Sequence, residues 1–330
     1  MKKHLKLIQA ALFILIGSGI VWLLRDVDLE KTVPVIRGMD FGLLAVVFVL
    51  SAGNIFLYAL RWNVLLRATS HGIAFKNVLI ATISAIAINT SGPGKLGVPA
   101  KAFLMKKLEG LEVSRTLPSI MIELFLEIVS LFILMVAFAL LLGMHDMVFG
   151  MLGNALSLQN SLILLAGAAV VATALYPLRN TIRNIAFLAK LFNALRLTLQ
   201  HKTIFVLAFA LSLANLLFSF WGDYLLFRAL HQDIPYSFIA FSSAFSTIAG
   251  IFSPMPGGLG VWELSRAYLF KAYYNIGEIA VVMTLIRRLL TYFALGIIHV
   301  LNATVWSRYT GEVAAPKTED APPLQQAEGA

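Results

Sequence analysis

The sequence predicts an all-α polytopic membrane protein. About six full spans are expected, plus two re-entrant helical hairpins broken by Pro-Gly and set in an inverted repeat. Three observations carry this. First, the 330 residues are 59% hydrophobic and only 13% charged, with a mean hydropathy of +0.83. Soluble proteins carry about 25% charged residues, so a chain this poor in charge turns most of its surface to lipid. Second, apolar runs recur near the length of about 20 residues that crosses a bilayer core. Third, two shorter apolar segments end in nearly the same Pro-Gly motif. Together these exclude a soluble enzyme, a disordered protein and a disulfide scaffold. Cysteine is absent, and the six histidines are scattered, with no pair at helical ligand spacing.

The elements follow in order. Residues 5–24 are apolar and follow Lys2, Lys3 and Lys6; without a small-x-small cleavage site they read as a retained signal anchor. Residues 41–60 form the second span and 119–142 the third, which carries Glu123 and Glu127. Residues 161–177 form a shorter, Ala-rich span. Residues 203–227 and 278–300 complete the set, with Asp223 in the former and Arg287 and Arg288 in the latter. Residues 77–92 and 236–253 are too short for ordinary spans and run into Pro93-Gly94 and Pro254 with Pro256-Gly257-Gly258. They read as helices that enter the membrane and turn back. The expected organisation is one integral membrane domain over 1–310, with repeat units near 41–117 and 203–277. A disordered cytoplasmic tail is expected over 311–330.

Charge sets the topology. With the N-terminus inside, eighteen of the 26 Lys and Arg fall in cytoplasmic loops and six outside. That bias predicts a multi-pass protein of the inner (cytoplasmic) membrane with both termini in the cytoplasm, and it accounts for the net +9 without nucleic acid. Arg179, Arg183, Lys190 and Arg196 interleave with leucine and isoleucine, the pattern of an amphipathic helix on the inner leaflet.

The two breaker loops share residues. Pro93-Gly94-Lys95-Leu96-Gly97-Val98 matches Pro256-Gly257-Gly258-Leu259-Gly260-Val261 at five of six positions, and Leu66-Arg67-Ala68 parallels Phe227-Arg228-Ala229 upstream. Three crossings separate the units, so the second starts from the opposite side and the repeat is inverted. Paired, broken segments at matching places in two halves point to a transporter's central site.

Gly92 to Gly97 also fits G-x-G-x-x-G. A membrane helix precedes it where a dinucleotide fold needs a strand, so the glycines read as tight-turn residues instead. New helices are expected from about Val98 and Val261, with N-terminal amides facing inward. Such termini attract anions, and Lys95, Lys101 and Arg266 lie beside them. Lys101 and Arg266 divide evenly between headgroup binding and snorkelling to lipid; Lys106 and Lys107 read as snorkelling. Glu123 and Glu127, at i and i+4, face the bundle interior, as do Arg287 and Arg288, because unpaired charge at that depth is costly. Arg288 reads as a substrate contact, while the glutamates stay open between structure and function. Glu263 is placed to cap its helix or pair with Arg288. Arg61-Trp62 reads as an interfacial anchor.

At these residues the chain resembles the flippase-like membrane domain of lysylphosphatidylglycerol synthases, in stand-alone form. The carriers are Arg61-Trp62, Pro93-Gly94-Lys95-x-Gly97 with Lys101, Glu123-x-x-x-Glu127, and Pro256-Gly257-Gly258-Leu259-Gly260-Val261-x-Glu263 followed by the span with Arg288. The likeness covers roughly residues 5–305. Val98 and Leu124 depart from the family, which often has Glu and Arg there. The aminoacyl-transferase domain of the fused synthases has no counterpart in the 330 residues.

The resemblance implies translocation of an anionic or modified phospholipid, or of a polyprenyl-phosphate-linked lipid, across the inner membrane. In that reading Lys95, Lys101, Arg266 and Arg288 bind the headgroup phosphate with backbone amides at Gly94, Gly97, Gly257, Gly258 and Gly260. Glu123, Glu127 and Glu263 balance charge or carry protons. The alternatives are a non-catalytic subunit that presents lipid to a partner synthase or glycosyltransferase, and a transporter of small anions. No enzymatic activity, cofactor, metal or nucleic-acid partner is expected. Membrane lipids are the expected ligands, with a lipid-modifying enzyme or a second copy of the chain as candidate protein partners.

Overall fold

The computed structural model describes residues 29–68, 72–91, 97–144, 196, 200–251 and 258–312. The expected spans at 5–24 and 161–177, the surface helix at 179–195, the loop residues 92–96 and 252–257, and the tail from 313 onward lie outside them. The described residues are all-α.

A short helix, α1 (Leu29–Arg37), was not anticipated; it precedes Asp40. The Asp40 carboxylate accepts the amides of Gly42 and Leu43 at 2.8 and 3.1 Å and so starts α2 (Phe41–Leu66). This helix continues past the expected end at Leu60, which places Arg61 inside it. There follow α3 (Phe75–Ser91), α4 (Gly97–Glu109) and α5 (Val113–Leu141). α5 begins six residues ahead of the expected Ser119 and contains Pro118. The second half contains α6 (Lys202–Ala229), α7 (Tyr236–Ile251), α8 (Val261–Tyr274) and α9 (Gly277–Glu312). α9 runs past the expected end at Val300 and two residues into the region expected to be disordered. α2, α5, α6 and the 277–297 stretch of α9 are each long and apolar enough to cross a membrane, whereas α3 and α7 are shorter apolar helices.

The order long, short, short, long occurs twice. α3 and α4 fold back on each other. At one end Gly97 N–H donates to Asn89 Oδ1 (2.7 Å), and at the other Asn77 Nδ2 donates to Glu109 Oε1 (2.7 Å). A Cβ on Gly97 would meet the Ala85 carbonyl oxygen and stand 2.6 Å from Asn89 Oδ1. Only glycine lets α4 start that close to α3. α7 and α8 form the matching hairpin. Gly258 (φ +67°) turns against Gly250 at the tip, and the Phe238 ring meets Phe270 and Tyr274 at the base, 5.1 and 4.8 Å between centroids.

α2 and α6 pack antiparallel along their length. Asp40 N–H donates to Ala229 O (2.9 Å) at one end, and Val64 and Leu65 cluster with Ala208 and Ile204 at the other. α5 runs parallel to α6: Ile122 and Leu126 lie beside Ala208, and Leu131 and Leu134 beside Leu216 and Phe220. The hairpins are held unequally. α7 lies along α5, with Ala240 and Ala244 against Leu131 and Leu134. Its counterpart α3 meets α9 more sparsely, through a small cluster around Ile83 and Leu295.

Candidate functional site

The first-half cluster is built on Arg61. The residue is fully buried, and its Nη2 lies 3.1 Å from Glu123 Oε1 and 3.2 Å from Glu127 Oε2. One helical turn separates the two glutamates, so both reach the same guanidinium. Its Nη1 donates to Ser212 Oγ on α6 (3.3 Å), and its plane lies 4.2 Å over the Tyr58 ring. Tyr58 Oη donates to Glu127. Lys101 Nζ donates to Glu123 Oε2 at 2.7 Å and sits 4.0 Å over the Trp62 ring, whose Nε1 donates to Ser119 Oγ (3.1 Å). Among the described residues two cations thus face two carboxylates, so the formal charges of these four side chains cancel. Beside it is a cavity of about 110 Å³, lined in part by Tyr58, Thr82, Asn89, Lys101, Glu123 and Glu127.

The second-half cluster is built on Asp223 of α6. Arg266 Nη2 on α8 lies 2.8 Å from Asp223 Oδ2, Ser243 Oγ on α7 donates to the same oxygen (2.9 Å), and Arg287 Nε on α9 lies 3.3 Å from Oδ1. Arg287 also donates to Ser51 Oγ (2.9 Å) and Ser219 Oγ (3.4 Å). Its guanidinium fits because Gly222 has no side chain; a Cβ there would stand 3.1 Å from Nη1. Arg288 pairs with Glu263, which also accepts the Gly260 N–H at 2.8 Å. Glu263 therefore caps α8 and binds Arg288 at once. The Trp262 ring lies under both guanidiniums, 4.9 Å from Arg266 and 5.3 Å from Arg288. Among the described residues three arginines gather here against two carboxylates.

The two clusters are related through α2 and α6. Asn54 Nδ2 donates to Asn215 O, and Asn215 Nδ2 donates to Asn54 O, both at 3.0 Å. Three residues before each asparagine is a serine. Ser51 donates to Val47 O and accepts from Arg287, while Ser212 donates to Ala208 O and accepts from Arg61. A contact that reads the same from both partners is the mark of a two-fold axis. Arg61 lies ten residues beyond Ser51, so the clusters stand about 15 Å apart along α2.

The expected cations do not meet at one point. Lys101 belongs to the first cluster, Arg266 and Arg288 to the second, and each is paired with a carboxylate. The N–H groups of Gly97 and Gly260 are held by Asn89 and Glu263, so these amides close the hairpins' own structure rather than open toward a ligand. Gly258 serves the turn against Gly250. Gly94, Lys95 and Gly257 lie outside the described residues. Sequence reasoning missed three residues. Arg61 is the buried centre of a cluster and not an interfacial anchor. Asp223 is the carboxylate between two arginines, and Arg287 carries the polar contacts across α2 and α6. The available signal was Ser51-x-x-Asn54 against Ser212-x-x-Asn215, at the same 161-residue separation as the Arg-Ala pairs already compared. Among the described residues no group of three or more His, Cys, Asp or Glu is placed to hold a metal.

Comparison with known proteins agrees with this architecture. Residues 8–298 match the family described as the lysylphosphatidylglycerol synthase TM region. A UPF0104 membrane protein of Pyrococcus horikoshii is 21% identical over 89% of this chain and 94% of its own length. A UPF0104 membrane protein of Methanothermobacter thermautotrophicus is 30% identical over 32% of this chain and 30% of its own. With the match spanning the spans, both hairpins and both charge clusters, the chain belongs to the family of the lysylphosphatidylglycerol synthase TM region.

Proposed function

We propose that this protein translocates an anionic or modified phospholipid, or a polyprenyl-phosphate-linked lipid, between leaflets of the inner membrane, with both termini in the cytoplasm and without enzymatic chemistry of its own. The observation that supports this most is the gathering of Arg266, Arg287 and Arg288 around two carboxylates, among the described residues, on helices of an inverted pair. A buried surplus guanidinium is costly in lipid unless an anion joins it, and a phosphate diester brings one negative charge. The neutral first-half cluster, at the other end of α2 and α6, is the counterpart exposed when the two halves exchange arrangement. The family's description ties its membrane region to an enzyme that builds a modified phospholipid, which fits a lipid cargo. In this reading Arg287 joins Arg288 as the phosphate contact, and Lys101 acts in the first-half cluster.

The test is leaflet-resolved transport of labelled phospholipid in proteoliposomes. Accelerated exchange of the label, lost in Arg287→Met, is expected. Exchange equal to protein-free vesicles, together with co-purification of a lipid-modifying enzyme, would replace translocation by the lipid-presenting subunit.

A further inference from the structure

We propose that the first-half cavity binds an uncharged polyol, the glycerol, inositol or sugar portion of a lipid headgroup. The inference rests on the lipid reading above and names which part of the ligand each cluster takes.

The argument begins with charge. Arg61, Lys101, Glu123 and Glu127 already neutralise one another in a buried site. A phosphate added there would face two carboxylates, and an ammonium would face Arg61 and Lys101. Either leaves one uncompensated charge in a medium that does not solvate it. A neutral ligand avoids that cost. The wall nonetheless asks for hydrogen bonds. Thr82 is 1% exposed, lines the cavity, and its Oγ1 has no hydrogen-bond partner among the described residues. Buried hydroxyls are rarely left so, which points to a partner inside the cavity. Around it the Lys101 ammonium offers donors, the two carboxylates offer acceptors, and the Thr82 hydroxyl offers both. A hydroxyl, which donates and accepts at the same atom, suits such a mixed wall.

The volume and the rim narrow the source. About 110 Å³ holds several waters, and therefore a small polyol. On α5, Met121 and Phe125 flank the cavity-lining Leu124 and are 50% and 59% exposed. On α3, the exposed Ile88 precedes the cavity-lining Asn89. These exposed apolar side chains suit contact with acyl chains, which favours a polyol attached to a lipid.

Binding is measured on the full chain in detergent by native mass spectrometry. The probes are phosphatidylglycerol, phosphatidylinositol, phosphatidylethanolamine and phosphatidic acid with identical acyl chains. The two polyol lipids are expected to bind roughly tenfold tighter than the other two, the scale of one well-made hydrogen bond. Thr82→Val should erase that preference, and Thr82→Ser, which keeps the hydroxyl, should retain it. Equal binding of all four lipids, or a preference indifferent to Thr82→Val, overturns the proposal and leaves a water-filled cavity. Displacement of the lipids by free glycerol or inositol at equal concentration keeps the polyol site and overturns its lipid source. Vesicle transport is scored separately. Polyol preference without transport refutes translocation alone, and transport without polyol preference refutes this site alone.

Discussion

Asn54 and Asn215 each donate a side-chain N–H to the other's backbone carbonyl, at 3.0 Å in both directions. Helical carbonyls in mid-bundle already accept from the next turn, so this pair adds a second bond to each. Interhelical hydrogen bonds in membranes are worth about 0.5–2 kcal/mol. Asn54→Leu and Asn215→Leu should therefore destabilise the protein by similar, small amounts in a detergent unfolding assay. The double variant should depart from the sum of the singles, because residues in direct contact couple by about 0.5–3 kcal/mol. A large difference between the singles would argue against the two-fold relation.

Arg61→Met removes the cation that holds Glu123 and Glu127 and leaves Lys101 alone to balance them. Breaking a buried pair from one side costs about 3–5 kcal/mol, so sharply lower folded yield and thermal midpoint are expected. Arg61→Lys should rescue little, since one ammonium does not span both carboxylates and Ser212 as the planar fork does. Adding Glu123→Gln and Glu127→Gln to Arg61→Met should recover part of the loss.

Arg287→Met tests the surplus charge from the other side. Asp223 retains Arg266 and Ser243, so the thermal midpoint should change little, while phospholipid transport in vesicles falls. Asp223→Asn should do the reverse to stability, because it leaves Arg266 and Arg287 without their carboxylate. Equal transport in Arg287→Met and the unaltered protein would remove this residue from the phosphate site.

Two glycines on helices should behave oppositely. Gly97→Ala drives a methyl group into the Ala85 carbonyl and the Asn89 side chain, forcing α3 and α4 apart. Overpacking of that kind costs about 1–3 kcal/mol or more, and a loss of folded protein is expected. Nothing lies within 4 Å of a Cβ on Gly296, in mid-helix, where alanine gains about 1 kcal/mol of helix propensity. Gly296→Ala should raise the thermal midpoint or leave it unchanged.

Much of this architecture was legible in the residues. Composition and run length located α2, α5, α6 and α9, and the apolar runs ending in Pro-Gly located the first helix of each hairpin within two residues at each end. Glu263 was assigned a cap or an ion pair and makes both. Helix ends were less legible. Arg61 seemed to close a span because a charge usually ends one, yet its carboxylates lie on α5, some sixty residues away, and pairing keeps it inside. The partners of Glu123 and Glu127 were not legible for the same reason. Depth alone grouped them with Arg287 and Arg288, while the packing of α2 on α6 sets the two groups about 15 Å apart. No local pattern encodes that distance. The Ser-x-x-Asn repeat does, once both copies are set side by side.

The unequal seating of the hairpins, α7 close along α5 and α3 sparse against α9, bears on which side the protein rests. In the proposed translocation the second conformer is the one in which this seating is swapped. Were the halves identical in sequence, both conformers would be equally populated. The bias between them therefore comes from where the halves differ in buried residues, foremost the glutamates of α5 and the arginines of α9. On that reading a charge change at either site should alter the ratio of the two populations as well as ligand binding. Variants there should be assayed for sidedness of labelling before a loss of transport is read as a loss of binding.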